Sequence, residues 1–89
     1  MQQRHITIIN KLGLHARAAA KLVGLASQFE SDIKLAKGDN EVNGKSILGV
    51  MMLAAAKGTE LKISADGADE SAALDAIQAL VERYFDEGE

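Results

Sequence analysis

Residues 11–21 read Lys-Leu-Gly-Leu-His-Ala-Arg-Ala-Ala-Ala-Lys, and this stretch joins a glycine turn directly to an alanine-rich helical pattern. The turn at Gly13 places the imidazole of His15 at or just before the first turn of the helix. The backbone N–H groups there have no helical acceptor and form a natural anion site. Arg17 adds a planar cation suited to phosphate. The stretch therefore predicts a histidine that carries a phosphoryl group.

Hydrophobic periodicity on both sides of this stretch predicts the order β-α-β-β-α-β-α. Alternating or β-branched residues predict strands at residues 5–9, 32–37, 41–43 and 60–65. Three- and four-residue spacing predicts helices from residue 16 to about 29, from 47 to about 53, and after residue 69.

The length of 89 residues predicts one domain spanning residues 1–89. Four strands and three helices in so short a chain predict an α+β fold of two layers, with one sheet covered on one face by helices. A domain of this size buries roughly 60% of its unfolded surface, so its function is expected at the surface.

The predicted helix ends carry polar caps. Ser46 is a good N-cap for the second helix, and Asp69 can cap the third. Residues 86–89 read as a solvated acidic tail. Helical spacing predicts that one stripe of the third helix is buried, formed by Ala73, Ile77, Leu80, Val81 and Tyr84.

Composition excludes several classes of function. The net charge is -3 and no Lys/Arg block exists, so nucleic-acid binding is disfavoured. The absence of cysteine excludes disulfides and thiolate chemistry. The longest apolar run is far shorter than the ~20 residues that span a bilayer, and no signal peptide is visible, so a cytoplasmic protein without membrane contact is expected. Two widely spaced histidines predict no metal site, and no cofactor or enclosed sensor pocket is indicated.

Residues 13–17, Gly-Leu-His-Ala-Arg, and residues 43–48, Asn-Gly-Lys-Ser-Ile-Leu, resemble the histidine-containing phosphocarrier family, HPr. The resemblance covers essentially the whole chain, including the element order. It implies an open-faced β-sandwich, a four-stranded antiparallel sheet with three helices on one face. It also implies a phosphoryl shuttle of the phosphoenolpyruvate-dependent phosphotransferase system, in which Enzyme I phosphorylates the residue matching His15 and an enzyme IIA receives the group. Such a carrier has no turnover of its own, so the label of enzyme stays open.

The resemblance also implies the roles of single residues. The nitrogen corresponding to Nδ1 of His15 takes the phosphoryl group, and Arg17 and the backbone N–H groups of Ala16, Arg17 and Ala18 receive it. The family usually has proline where this chain has Ala18. Residues 16–21 resemble the nitrogen-related branch, NPr, which uses its own Enzyme I and a regulatory enzyme IIA. The sugar and nitrogen branches therefore both stay open.

Docking needs a surface beside His15. The short second helix is too apolar to be buried on every face, and nearby lysines would suit an acidic partner. The family's interaction surface includes the ends of the same two helices, and the family expectation is a monomer. The candidate docking residues are Leu14, Ala20, Lys21, Lys45, Ile47, Leu48 and Met51.

Ser46 offers a second interpretation. In some members of the family, an HPr kinase/phosphorylase modifies the serine at this position. A phosphate there would place negative charge in the docking patch and oppose transfer from Enzyme I. The alternative function is therefore a regulatory protein-binding module without phosphotransfer, controlled through Ser46. Retention of His15 favours the carrier.

Overall fold

The computed structural model describes residues 1–87 of the chain. Its sheet is built from strands in which buried and exposed positions alternate. The strands follow the order β1-β4-β2-β3, and each neighbouring pair is antiparallel. This confirms the predicted four-stranded antiparallel sheet. The strands are β1 (Gln2–Thr7), β2 (Asp32–Lys37), β3 (Asn40–Asn43) and β4 (Glu60–Asp66).

Three helices cover one face of the sheet, as the α+β prediction requires. They are α1 (Ala16–Ala26), α2 (Ile47–Met52) and α3 (Glu70–Glu82). Inward-facing strand residues such as Leu35 and Ile63 join Leu22 and Ile77 of the helices in one buried core. The predicted order β-α-β-β-α-β-α is confirmed. Within residues 1–87, no helix has the length and apolar character needed to cross a membrane.

The first strand begins earlier than the sequence predicts. β-Branched residues favoured a strand at residues 5–9, whereas β1 pairs with β4 from Gln2 opposite Ala65 to Thr7 opposite Glu60. Ile8 lies beyond the ladder, where its N–H donates to the Thr59 carbonyl at 2.9 Å. The ends of this edge strand are set by where its partner strand begins and ends, which local β-propensity cannot show.

The third helix stops at Glu82, and a left-handed turn follows. Tyr84, Phe85 and Asp86 have φ angles of 57°, 53° and 62°, a conformation that non-glycine residues adopt only where surrounding contacts hold them. The turn buries Phe85 completely and leaves Tyr84 exposed. The prediction that Tyr84 lies in the buried stripe was wrong, because the helical periodicity ends with α3 and the backbone at Tyr84 is left-handed.

Asp69 stands at the N-cap position of α3, as predicted, but its side chain makes no capping hydrogen bond. Its carboxylate instead accepts hydrogen bonds from the N–H of Glu30 at 2.9 Å, the N–H of Ser31 at 3.0 Å and the Ser31 hydroxyl. The hydrogen bond from the Ser31 side chain, followed by that from Glu30, lowers the pKa of Asp69. Asp69 thereby joins α3 to the link between α1 and β2.

We expect Asp69→Asn to weaken the loss of stability in acid. Because the pKa of Asp69 is lowered in the folded protein, its ionised carboxylate stabilises the fold above an unfolded-state pKa of about 4. That stabilisation is lost as the pH falls through the lower folded-state pKa. Urea unfolding at a series of pH values from about 2 to 6 measures the effect. Asp39→Asn, in an exposed turn, is the matched control. Equal acid slopes in the wild-type and Asp69→Asn proteins would contradict the assignment.

Candidate functional site

His15 occupies the N-cap position of α1, as the sequence predicts. Its extended backbone lets its carbonyl accept the first helical hydrogen bond, from the N–H of Ala19 at 2.8 Å. The N–H groups of Ala16, Arg17 and Ala18 precede that bond and have no helical acceptor. They lie at the helix start beside the imidazole, where an anion is favoured. Ala16 and Arg17 are exposed, whereas Ala18 is completely buried.

The loop before His15 is held against the segment that follows α2. The N–H of Leu14 donates to the carbonyl of Ala55 at 2.8 Å. Gly13 has a φ of +67°, and a Cβ at this position would overlap the Ala55 carbonyl oxygen. The buried amide of Asn10 donates to the Gly13 carbonyl at 2.9 Å. These contacts explain why a glycine precedes the histidine and fix where α1 begins.

The imidazole of His15 contacts a carboxylate from the far end of the chain. Nε2 lies 2.7 Å from Oε2 of Glu87, and the two side chains are 30% and 13% exposed. The prediction of a solvated tail was wrong for Glu87, because the left-handed turn directs this residue back onto the helix start. Gly88 and Glu89 of the predicted tail lie outside the described residues. No local sequence signal marks a contact across 72 positions.

Arg17 and the two lysines among the candidate docking residues are placed differently from one another. Arg17 is exposed in the first turn of α1 and faces solvent. The ammonium of Lys21 donates to the Phe85 carbonyl at 2.7 Å, and that of Lys45 donates to the Phe29 carbonyl at 2.7 Å. Both lysines therefore also hold the structure together. Within residues 1–87, no group of three His, Cys, Asp or Glu side chains could hold a metal ion.

Ser46 is the N-cap of α2, as predicted. Its Oγ accepts a hydrogen bond from the N–H of Gly49 at 3.2 Å. The helix that it starts packs against α1. Lys45, the residue before Ser46, reaches the Phe29 carbonyl beyond the C-terminal end of α1, whereas the segment after α2 contacts Leu14 at the His15 end.

An exposed apolar surface lies on α2. Val50 is the buried residue of this helix, while Leu48 is 72% exposed. We name this surface the α2 patch, and its residues are Ile47, Leu48, Met51 and Met52. Met52 was not among the candidate docking residues, although its position in a wholly apolar helix could have suggested it.

Two further candidate docking residues differ in exposure. Ala20 is exposed on α1. Leu14 is only 5% exposed, because its side chain packs in the core beside the Gly13 turn. Leu14 therefore cannot offer a docking surface, and this candidate was wrong.

Comparison with known proteins places the chain among phosphocarriers. Residues 2–83 match the family described as PTS HPr component phosphorylation site. The phosphocarrier protein HPr of Neisseria meningitidis serogroup A is 56% identical over 89 residues, with 100% of both chains covered. A phosphocarrier protein NPr from Shewanella violacea is 48% identical, with 96% of this chain and 93% of that protein covered. The crystal structure of HPr-C-His from Thermoanaerobacter tengcongensis superposes with a TM-score of 0.95, at 46% identity and 98% coverage of each chain.

Gly13→Ala should destabilise the protein by about 2–4 kcal/mol, because the new side chain both requires a strained backbone and overlaps Ala55. Gly24→Ala is the matched control in the exposed middle of α1, where a Cβ meets nothing within 4 Å. It should stabilise the protein by about 0.5–1 kcal/mol. Urea unfolding of both variants tests the prediction, and equal effects would show that the Gly13 contact does not constrain the loop.

Proposed function

We propose that His15 is the phosphoryl acceptor of this chain, which belongs to the HPr family of phosphocarrier proteins of the phosphotransferase system. The observation that carries the proposal is an accessible imidazole at the N-cap of α1, next to three N–H groups without helical acceptors. The family assigns a phosphocarrier, and this geometry supports a specific residue for the role.

The chemistry needs a nucleophile on one side of the phosphorus and an anion site around it. The neutral form of the imidazole attacks phosphorus through the lone pair of Nδ1, and the donor leaves with the electron pair of its own bond to phosphorus. The N–H groups of Ala16, Arg17 and Ala18 then face the bound phosphoryl oxygens. The exposed guanidinium of Arg17 adds charge-assisted hydrogen bonds. Such transfer depends mainly on positioning and electrostatics, which a small surface site can supply.

The partners follow from the family and from the surface beside His15. Membership implies Enzyme I as donor and an enzyme IIA as acceptor. We assign their docking to the α2 patch together with Ala20, Lys21 and Lys45, because an apolar surface bordered by lysines suits a partner with an acidic rim. A cytoplasmic protein without metal or cofactor is part of the same proposal. The donor that reacts faster assigns the chain to the sugar or the nitrogen branch.

We expect His15→Ala to abolish phosphorylation. The test incubates the protein with phosphoenolpyruvate and either the sugar-branch Enzyme I or its nitrogen-branch counterpart, and reads one acid-labile phosphoryl group by intact-protein mass spectrometry. His5→Ala, on the outer face of the edge strand β1, is the matched control and should be phosphorylated like the wild type. Phosphorylation of the His15→Ala protein would refute the proposed acceptor.

A second candidate function, regulation through Ser46, is favoured by one observation. The Ser46 hydroxyl sits at the start of α2, directly beside Ile47 and Leu48 of the α2 patch. A phosphate there would suit the helix start but would add negative charge to the surface that is assigned to an acidic partner. A kinase acting on Ser46 would thus control docking without touching His15.

Ser46→Asp and Ser46→Asn separate charge from capping. Serine, aspartate and asparagine cap helices about equally well, so both variants should keep the wild-type stability within about 0.5 kcal/mol. Ser46→Asp should lower kcat/KM for phosphorylation by Enzyme I about tenfold through repulsion of the partner, while Ser46→Asn should not. Steady-state transfer kinetics measure both. Equal rates for the two variants would exclude control by charge at this position.

A further inference from the structure

We infer that Glu87 is a positioning residue for His15, which holds the proton on Nε2 and thereby leaves Nδ1 as the nucleophilic nitrogen. The consequence for phosphotransfer rests on the proposed role of His15. The position of the proton on the imidazole does not depend on that role, because the contact exists in the unmodified protein.

The contact itself determines which nitrogen bears the proton. Oε2 of Glu87 lies 2.7 Å from Nε2 of His15, within hydrogen-bond distance. An ionised carboxylate can only accept hydrogen bonds, so Nε2 must be the donor. In a neutral imidazole with a proton on Nε2, Nδ1 carries the free lone pair. The nitrogen next to the Cβ is thus the one available to phosphorus.

The carboxylate of Glu87 is fixed from several directions. The Nδ2 of Asn10 donates to Oε1 of Glu87 at 3.3 Å and to the Gly13 carbonyl at 2.9 Å. Since Asn10 is fully buried, one amide joins the loop before His15 to the carboxylate behind it. The N–H of Glu87 donates to the Tyr84 carbonyl at 2.9 Å, which closes the left-handed turn. A chance surface contact would have no such framework.

The turn that carries Glu87 is anchored in the core. Phe85 is completely buried, and its carbonyl accepts a hydrogen bond from the ammonium of Lys21 at 2.7 Å. Lys21 belongs to α1, the helix that begins at His15. The same helix therefore presents the imidazole at its start and holds the turn that delivers the carboxylate.

Glu87 also opposes the charge that forms in the reaction. When the Nδ1 lone pair makes the N–P bond and the donor leaves with the electron pair of its own bond, the ring keeps its Nε2 proton and becomes cationic. The carboxylate of Glu87 faces that proton and stabilises the cation, as the aspartate of a Ser-His-Asp triad does. In the reverse transfer, the electron pair of the N–P bond returns to Nδ1 and the ring becomes neutral again. Glu87 takes up no proton in either direction of transfer and contacts no reacting atom.

Glu87→Gln tests the inference, with Asp86→Asn as the matched control. The control removes an equal charge one position earlier, from an exposed carboxylate that pairs with Arg83. Both variants should unfold thermally like the wild type. Long-range ¹H–¹⁵N spectra of the unphosphorylated proteins report the ring: in the wild type and in Asp86→Asn, the neutral His15 should carry its proton on Nε2 and exchange it slowly. In Glu87→Gln the side-chain amide can donate as well as accept, so the Nδ1–H tautomer should appear and exchange should accelerate.

Phosphorylation by Enzyme I provides the second measurement. The rate should fall about tenfold in Glu87→Gln and stay unchanged in Asp86→Asn. Unchanged His15 ring signals in Glu87→Gln would overturn the inference, whatever the transfer rate. Persistent phosphorylation of His15→Ala would instead overturn the proposed acceptor, and the ring spectra would still decide whether Glu87 sets the tautomer.

Discussion

The close approach of the Gly13–Leu14 backbone to Ala55 is the contact on which the rest of the site depends. It is possible only because a glycine stands where a Cβ would overlap a carbonyl, and the adjacent N–H of Leu14 uses that same carbonyl. The contact locks the end of the first loop to the segment between α2 and β4. Helix α1 therefore starts at one defined place, directly after His15.

A chain of this size cannot enclose a reaction, so the site is assembled at an edge where three segments meet. The start of α1 supplies the imidazole and the amides, α2 supplies an apolar surface, and the turn after α3 supplies a carboxylate. Structural hydrogen bonds also join these segments, such as the one that the Lys21 ammonium donates to the Phe85 carbonyl. Under the proposed function, this chain positions the imidazole and the charges, and a partner protein excludes water from them.

Sequence reasoning succeeded where the signal is local. The glycine turn before a helical pattern located His15, and a serine before an apolar run located the cap at Ser46. It failed where distant groups compete for the same residue. Asp69 is a residue type that commonly caps helices, but its carboxylate accepts hydrogen bonds from the N–H groups of Glu30 and Ser31. Phe85 rather than Tyr84 enters the core, because the backbone becomes left-handed after α3. The partner of the imidazole, Glu87, lies 72 positions away, so its contact emerges only from the packed fold.

The strand order β1-β4-β2-β3 has a kinetic consequence. Only β2 and β3 are joined by a tight hairpin, whereas β1 must wait for β4, which lies on the far side of two helices and that hairpin. Closing so long a loop is entropically costly and slows folding relative to local contacts. Because Ala55 lies in the segment between α2 and β4, its contact with Leu14 forms in the same late event. The start of α1 beside His15 is therefore fixed only late in folding, although the helix itself is built from local contacts.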